Sequence, residues 1–159
     1  HESKTFMDES YEVLGYNYRM SDIHAAIGLA QFTKLDYILK KRIALADSYT
    51  KYLSKIPYIV PPSTPKGYTH TFQSYVIRLS ENSPVSRAEI MTKLLDKGIS
   101  TRIGIKACHL EALYKRKNVS LKKTEFLARS IITLPLYTAM TKNEQDYVID
   151  AISKIFSII

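Results

Sequence analysis

A chain of 159 residues, 45% of them hydrophobic, is long enough for one compact domain with a core and too short for two large ones. No stretch approaches the roughly 18 to 20 uninterrupted apolar residues of a membrane-spanning helix, and a single cysteine, Cys108, excludes an internal disulfide or a Cys-rich zinc site. The net charge of +8 admits nucleic acid, anionic membrane or a phosphorylated ligand as partners without selecting one.

The positive residues are spread out, with concentrations at Lys40 to Arg42 and at Lys115 to Lys117 with Lys122 and Lys123. They read as solvated faces and loops rather than a nucleic-acid groove. The opening HESKTFMDES has neither a basic nor an apolar leader region, so it is not a signal peptide and reads as a chain cut from something longer. The lone thiol fits a reducing, cytoplasmic setting.

In chain order, residues 1 to 20 carry Tyr11, Tyr16 and Tyr18 around Gly15 with no sustained period and are expected to be an irregular or extended arm. Ser21 is a predicted N-cap, with Asp22 complementing the helix start. Ile23, Ala26, Ile27 and Ala30 then recur at helical spacing, and the small Ala25, Ala26 and Gly28 permit close approach by another element. A second helical period runs through Leu35, Leu39, Ile43, Ala46, Tyr49 and Leu53, so residues 21 to 55 are one bent helix or two abutting ones. Four prolines between Pro57 and Pro65 predict a loop that ends the helical part.

Beyond the prolines, Tyr75, Ile77 and Leu79 alternate with Ser74, Val76 and Arg78, a strand pattern within Thr71 to Leu79. Ser86 and Glu89 have capping-box spacing ahead of a helix with Ile90, Met91, Leu94 and Leu95 on its buried stripe, ending at Gly98. Ile99 to Ile105 is a second predicted strand. A helical turn near Leu110 to Tyr114, a helix near Leu121 to Ser130 and a third strand over Ile131 to Leu134 follow. Thr141 and Glu144 repeat the capping box before a last helix that buries Val148, Ala151, Ile152 and Ile155. This order implies an α+β fold: a long helical lead, then a small sheet covered by helices on one side. It leaves the strand order open.

The usual signs of a self-sufficient enzyme are absent. His1, His24, His70 and His109 are far apart and lack metal-ligand spacing, so no metal is expected. Cys108 and His109 are adjacent, but neighbouring side chains point in different directions and adjacency makes no dyad. There is no Gly-Gly or Gly-x-Gly, hence no phosphate loop or dinucleotide fingerprint. The most distinctive stretch is Leu14 to Asp36, which delivers Asn17 and Arg19 at the start of a helix. An amide donor, a forked permanent cation and a helix N-terminus suit an anionic group. Residue chemistry alone favours the structural reading, in which Asn17 supports a turn, Arg19 pairs with a surface acid and the tyrosines fill a core.

The run Gly15-Tyr16-Asn17-Tyr18-Arg19-Met20-Ser21, followed by Ala25-Ala26-Ile27-Gly28, Gln31 and Leu35-Asp36, resembles the signature of the DegT/DnrJ/EryC1/StrS sugar aminotransferases just after their large cofactor domain. The likeness continues through Arg42, Tyr49, His70 to Leu79, Leu94 to Ile99, His109 with Tyr114, Leu134-Pro135-Leu136, and Met140-Thr141 with Glu144 to Val148. It spans residues 11 to 155.

The resemblance implies a fold-type I aminotransferase that uses pyridoxal 5'-phosphate (PLP), works as a dimer, and takes an amino group from a donor such as glutamate to a nucleotide-linked keto sugar. It implies three segments: an interface arm over 1–20, a helical segment over 21–56 leading to the large domain, and a small α+β domain with a mainly antiparallel sheet over 57–159. Asn17 takes the position of the residue that reaches the cofactor phosphate of the neighbouring subunit, Arg19 that of an arginine supporting this phosphate region or the sugar-nucleotide pocket, and His109 that of a residue near the nucleotide sugar. The family's Schiff-base lysine is expected outside this chain, since none of its lysines precedes a Thr-Gly-Glu-Gly-Gly stretch. No catalytic residue is therefore expected here, nor cofactor binding by this chain alone. The implied partners are the PLP-binding domain and a second subunit, with neither membrane nor nucleic acid. The family's Tyr-Pro before the histidine is replaced by Ile103 to Ala107, which leaves the substrate subgroup open. A basic nonenzymatic module, binding nucleic acid through its Lys, Arg and 12 tyrosines or capping a partner's site, is the alternative.

Overall fold

The computed structural model describes residues 14–114 and 119–157. Chain packing divides it into two compact units, residues 1–35 and 36–159.

In the first unit, residues 14–20 have no regular structure and lead into α1 (Asp22–Phe32). Ser21 has extended backbone, and its hydroxyl accepts the His24 N–H at 3.4 Å, as an N-cap does. At the other end the Thr33 hydroxyl donates to the Ala30 carbonyl at 2.9 Å, and a turn at Thr33 and Lys34 separates α1 from the next helix. Two abutting helices are thus formed rather than one bent helix. No residue of α1 is buried. Ile23, Ile27, Leu29 and Phe32 all stand exposed, so the helix lacks the covering surface its apolar residues call for.

The second unit, from Asp36, holds all but the first residue of α2 (Leu35–Leu53), whose Ala46, Tyr49 and Leu53 enter the core at helical spacing. A three-stranded antiparallel sheet follows in the order β1 (Ile59–Val60), β2 (Tyr75–Leu79) and β3 (Ile131–Leu134). In β2 the side chains of Tyr75, Ile77 and Leu79 are buried and those of Val76 and Arg78 only partly so, the alternation expected of a sheet with one packed face. Register pairs Ile77 with Ile132 and Tyr75 with Leu134. α3 (Arg87–Leu95), α4 (Lys122–Ser130) and α5 (Lys142–Ser157) complete the layer. α5 buries Val148, Ala151, Ile152 and Ile155 together with Gln145 and Ile149; the Gln145 amide is satisfied by donating to the Leu45 carbonyl at 2.7 Å.

Three local expectations need correction. Ile99–Ile105 forms no strand: it makes one isolated bridge, Arg102 to Thr133, with N–H···O distances of 3.1 and 2.7 Å. Gly104, at φ +70°, turns the backbone out of the extended region two residues later and ends the pairing. Within the proline-rich loop, Ile59 and Val60 pair with Leu79 and Arg78 as an edge strand, short because Pro61 has no N–H to continue it. Leu95, assigned to the buried stripe of α3, is 64% exposed, and Ile99 is buried beyond the turn where Gly98 adopts φ +74°.

Candidate functional site

Asn17 and Arg19 are brought together. The Asn17 Oδ1 accepts both the backbone N–H of Arg19 at 3.1 Å and its Nε–H at 3.2 Å. This fixes the amide orientation, since an oxygen facing two donors leaves the NH2 group on the opposite side. Both residues are exposed. The Asn17 NH2 and the terminal Arg19 nitrogens have no partner among the described residues, which makes a set of outward-facing donors around one permanent charge. Tyr16 and Tyr18 flank them with ring centroids 5.9 Å apart. At the helix start Ser21 takes the His24 N–H and Asp22 adds negative charge, so the donors for an anion come from the two side chains.

His109 belongs to the other unit. It sits in the 3₁₀ turn Cys108–Leu110, with its side chain only 13% exposed and its Nε2 3.1 Å from Glu125 Oε1. The same oxygen accepts the Leu121 N–H at 2.9 Å. The hydrogen bond from Leu121 and then that from His109 hold the Glu125 carboxyl below the usual carboxylate range. Cys108, next in sequence, is exposed and makes no bond to His109. Sequence reasoning missed Glu125. Its available signal was an acidic residue in the first turn of a predicted helix.

Sequence reasoning also missed a cleft of about 250 Å³ beside the edge of β3 that Arg102 bridges, lined by Gln73, Ser74, Ser100, Arg102, Thr133 and Leu136 among others. The two backbone hydrogen bonds to Thr133 fix the Arg102 backbone, and its guanidinium makes no ion pair among the described residues.

Arg42 and Tyr49 have structural duties. Arg42 Nη1 donates to the carbonyls of Phe72, Gln73 and Leu136 at 2.9, 3.0 and 3.5 Å. Phe72 has φ +47°, a left-handed conformation rare for a large side chain. It is held by this bond and by its own N–H donating to His70 Nδ1 at 2.8 Å. The Tyr49 hydroxyl donates to the Pro135 carbonyl at 3.0 Å.

The family model described as the DegT/DnrJ/EryC1/StrS aminotransferase family matches residues 1–153. The chain belongs to this family. Solved structures of similar fold include a DegT/DnrJ/EryC1/StrS aminotransferase from Brucella abortus, at 25% identity and TM-score 0.81 over 96% of this chain and 40% of that one. PseC from Helicobacter pylori, an aminotransferase involved in the biosynthesis of pseudoaminic acid, matches at 22% and 0.84 over 98% and 43%. DesI, solved in the presence of its TDP-sugar product, matches at 23% and 0.79 over 87% and 36%. The chain therefore spans about two fifths of the length of these aminotransferases.

Proposed function

We propose that this family member is the C-terminal portion of a PLP-dependent enzyme that aminates a nucleotide-linked keto sugar, with glutamate as the amino donor. The observation that carries the reading is the Asn17 and Arg19 pair, whose remaining donors face outward from an exposed segment. A phosphate dianion needs several N–H donors and positive charge at one place, and these residues supply both. PLP, when bound, would act as the electron sink for amino-group transfer. This chain's own part is to hold its phosphate through the Asn17 NH2 and the Arg19 guanidinium.

The apolar residues of α1 and the arm before it would pack against the cofactor-binding domain and a second subunit, making Asn17 a contributor to the neighbouring subunit's site. His109 would contact the nucleotide sugar, a substrate class supported by the TDP-sugar product of DesI. The compartment would be the cytoplasm, where Cys108 stays reduced.

The chain alone would lack the group that forms the covalent bond to the cofactor. After incubation with PLP and reduction by borohydride, intact-mass and peptide mapping should find no adduct confined to one lysine. A stoichiometric adduct on a single lysine would make the chain an enzyme in its own right and overturn this reading.

A further inference from the structure

We infer that Glu125 is a positioning residue for His109, fixing which ring nitrogen faces the sugar substrate. The inference rests on the proposed role of His109 in sugar binding. Glu125 Oε1 accepts from the Leu121 backbone at 2.9 Å and meets His109 Nε2 at 3.1 Å. The carboxylate is thus tied to the start of α4 at one side and to the 3₁₀ turn at the other. An ionised carboxylate can only accept, so the hydrogen between the two groups resides on Nε2. In its neutral form the ring then has Nδ1 as its acceptor, suited to a sugar or ribose hydroxyl. The contact is largely shielded, with side-chain exposures of 13% for His109 and 22% for Glu125, so the ring is held in one orientation before substrate arrives. Glu125 itself need not touch the substrate.

The test uses the full-length protein and the KM for the nucleotide sugar measured separately from that for the amino donor. Glu125→Ala should raise the sugar KM about tenfold, the loss of one charged hydrogen bond, with the donor KM unchanged. Glu125→Asp should show the same sugar-specific rise: it keeps the charge beside α4, and so the fold, but draws the carboxylate back from the ring. Glu125→Gln leaves an oxygen acceptor in place and should recover most of the affinity. The double variant with His109→Ala should be no weaker for the sugar than His109→Ala alone. An unchanged sugar KM in both the Ala and Asp variants, a rise shared equally by both substrates, or full additivity with His109→Ala would overturn the inference. If His109→Ala itself leaves the sugar KM unchanged, the underlying reading of His109 fails too. If it raises the KM and the Glu125 variants do not, only the positioning role fails.

Discussion

Arg42 reaches the carbonyl of Phe72, 30 residues further along the chain, and bonds it at 2.9 Å. One guanidinium nitrogen therefore secures the left-handed Phe72, the following Gln73 and, across the sheet end, Leu136. Arg42→Ala leaves these carbonyls without their cationic donor and should cost about 2 kcal/mol in denaturant unfolding. Arg42→Lys should recover only part, because its shorter stem does not carry the ammonium to the position of Nη1, from which all three carbonyls are reached.

Tyr49 and Tyr75 form a buried pair with ring centroids 5.0 Å apart. Burial pushes the Tyr49 hydroxyl well above its ordinary range and that of Tyr75 up to about 12. The unfolded chain releases these protons near the ordinary value of 10.0, while the folded chain retains them. Their contribution is thus fully present below that pH and is lost as pH rises toward the folded values. Denaturation midpoints should fall above pH 10, with each tyrosine adding a slope of about 1.4 kcal/mol per pH unit. Tyr75→Phe should remove its share of that slope, along with the hydrogen bond to Thr50.

Gly98 and Gly104 separate two costs of adding a methyl group. Both have φ above +70° or at it, so Ala at either position should cost about 1 kcal/mol for the left-handed backbone. At Gly98 the added carbon meets nothing within 4 Å, whereas at Gly104 it would stand 2.7 Å from Ile131 Cδ1 and 3.1 Å from its Cγ1. Thermal and urea unfolding should rank Gly104→Ala as the less stable of the two. Equal losses would mean that Ile131 moves aside freely.

Much of this fold was legible because its signals are local. Tyr75, Ile77 and Leu79 alternate in sequence and are buried in alternation. Thr141 and Glu144 exchange bonds as their spacing predicts, with Glu144 Oε2 accepting the Thr141 N–H at 2.7 Å and Thr141 Oγ1 accepting the Glu144 N–H at 3.3 Å. Ser86 realises only half of the same motif: it caps the Glu89 N–H, but the Glu89 side chain turns to Lys93 at 2.8 Å. What escaped the sequence depends on distant partners. Ile59 and Val60 become a strand only because β2 offers an edge, and Ile99 to Ile105 fails to become one because Gly104 turns away.

The site was legible to a different degree. His109 was singled out through the family resemblance alone, whereas residue chemistry drew attention to Asn17 and Arg19 but favoured a structural role for them until the resemblance was added. Glu125 carried no motif of its own. Its pairing with His109, 16 residues earlier, arises from the packing of the 3₁₀ turn against α4. The Lys115 to Lys117 concentration lies outside the described residues.

The proposed phosphate contact predicts weaker cofactor retention when its donors are removed. In the full-length protein, Asn17→Ala and Arg19→Ala should each raise the Kd for PLP about tenfold, the value of one charged hydrogen bond. Absorbance titration of the apoprotein measures it, and an unchanged Kd in both variants would remove these residues from the phosphate site.

The most direct test of the account is complementation between two full-length subunits, one carrying Asn17→Ala and assayed at low PLP, where its raised Kd leaves its sites largely empty, and the other lacking the cofactor lysine that the proposed function assigns to the PLP-binding domain. If Asn17 serves the neighbouring subunit's site, each mixed dimer holds one site with both groups intact. Random reassortment in equal amounts should then restore about a quarter of wild-type activity. If Asn17 serves its own subunit's site, every site in every dimer remains defective. Activity no higher than the two parents would contradict the cross-subunit role.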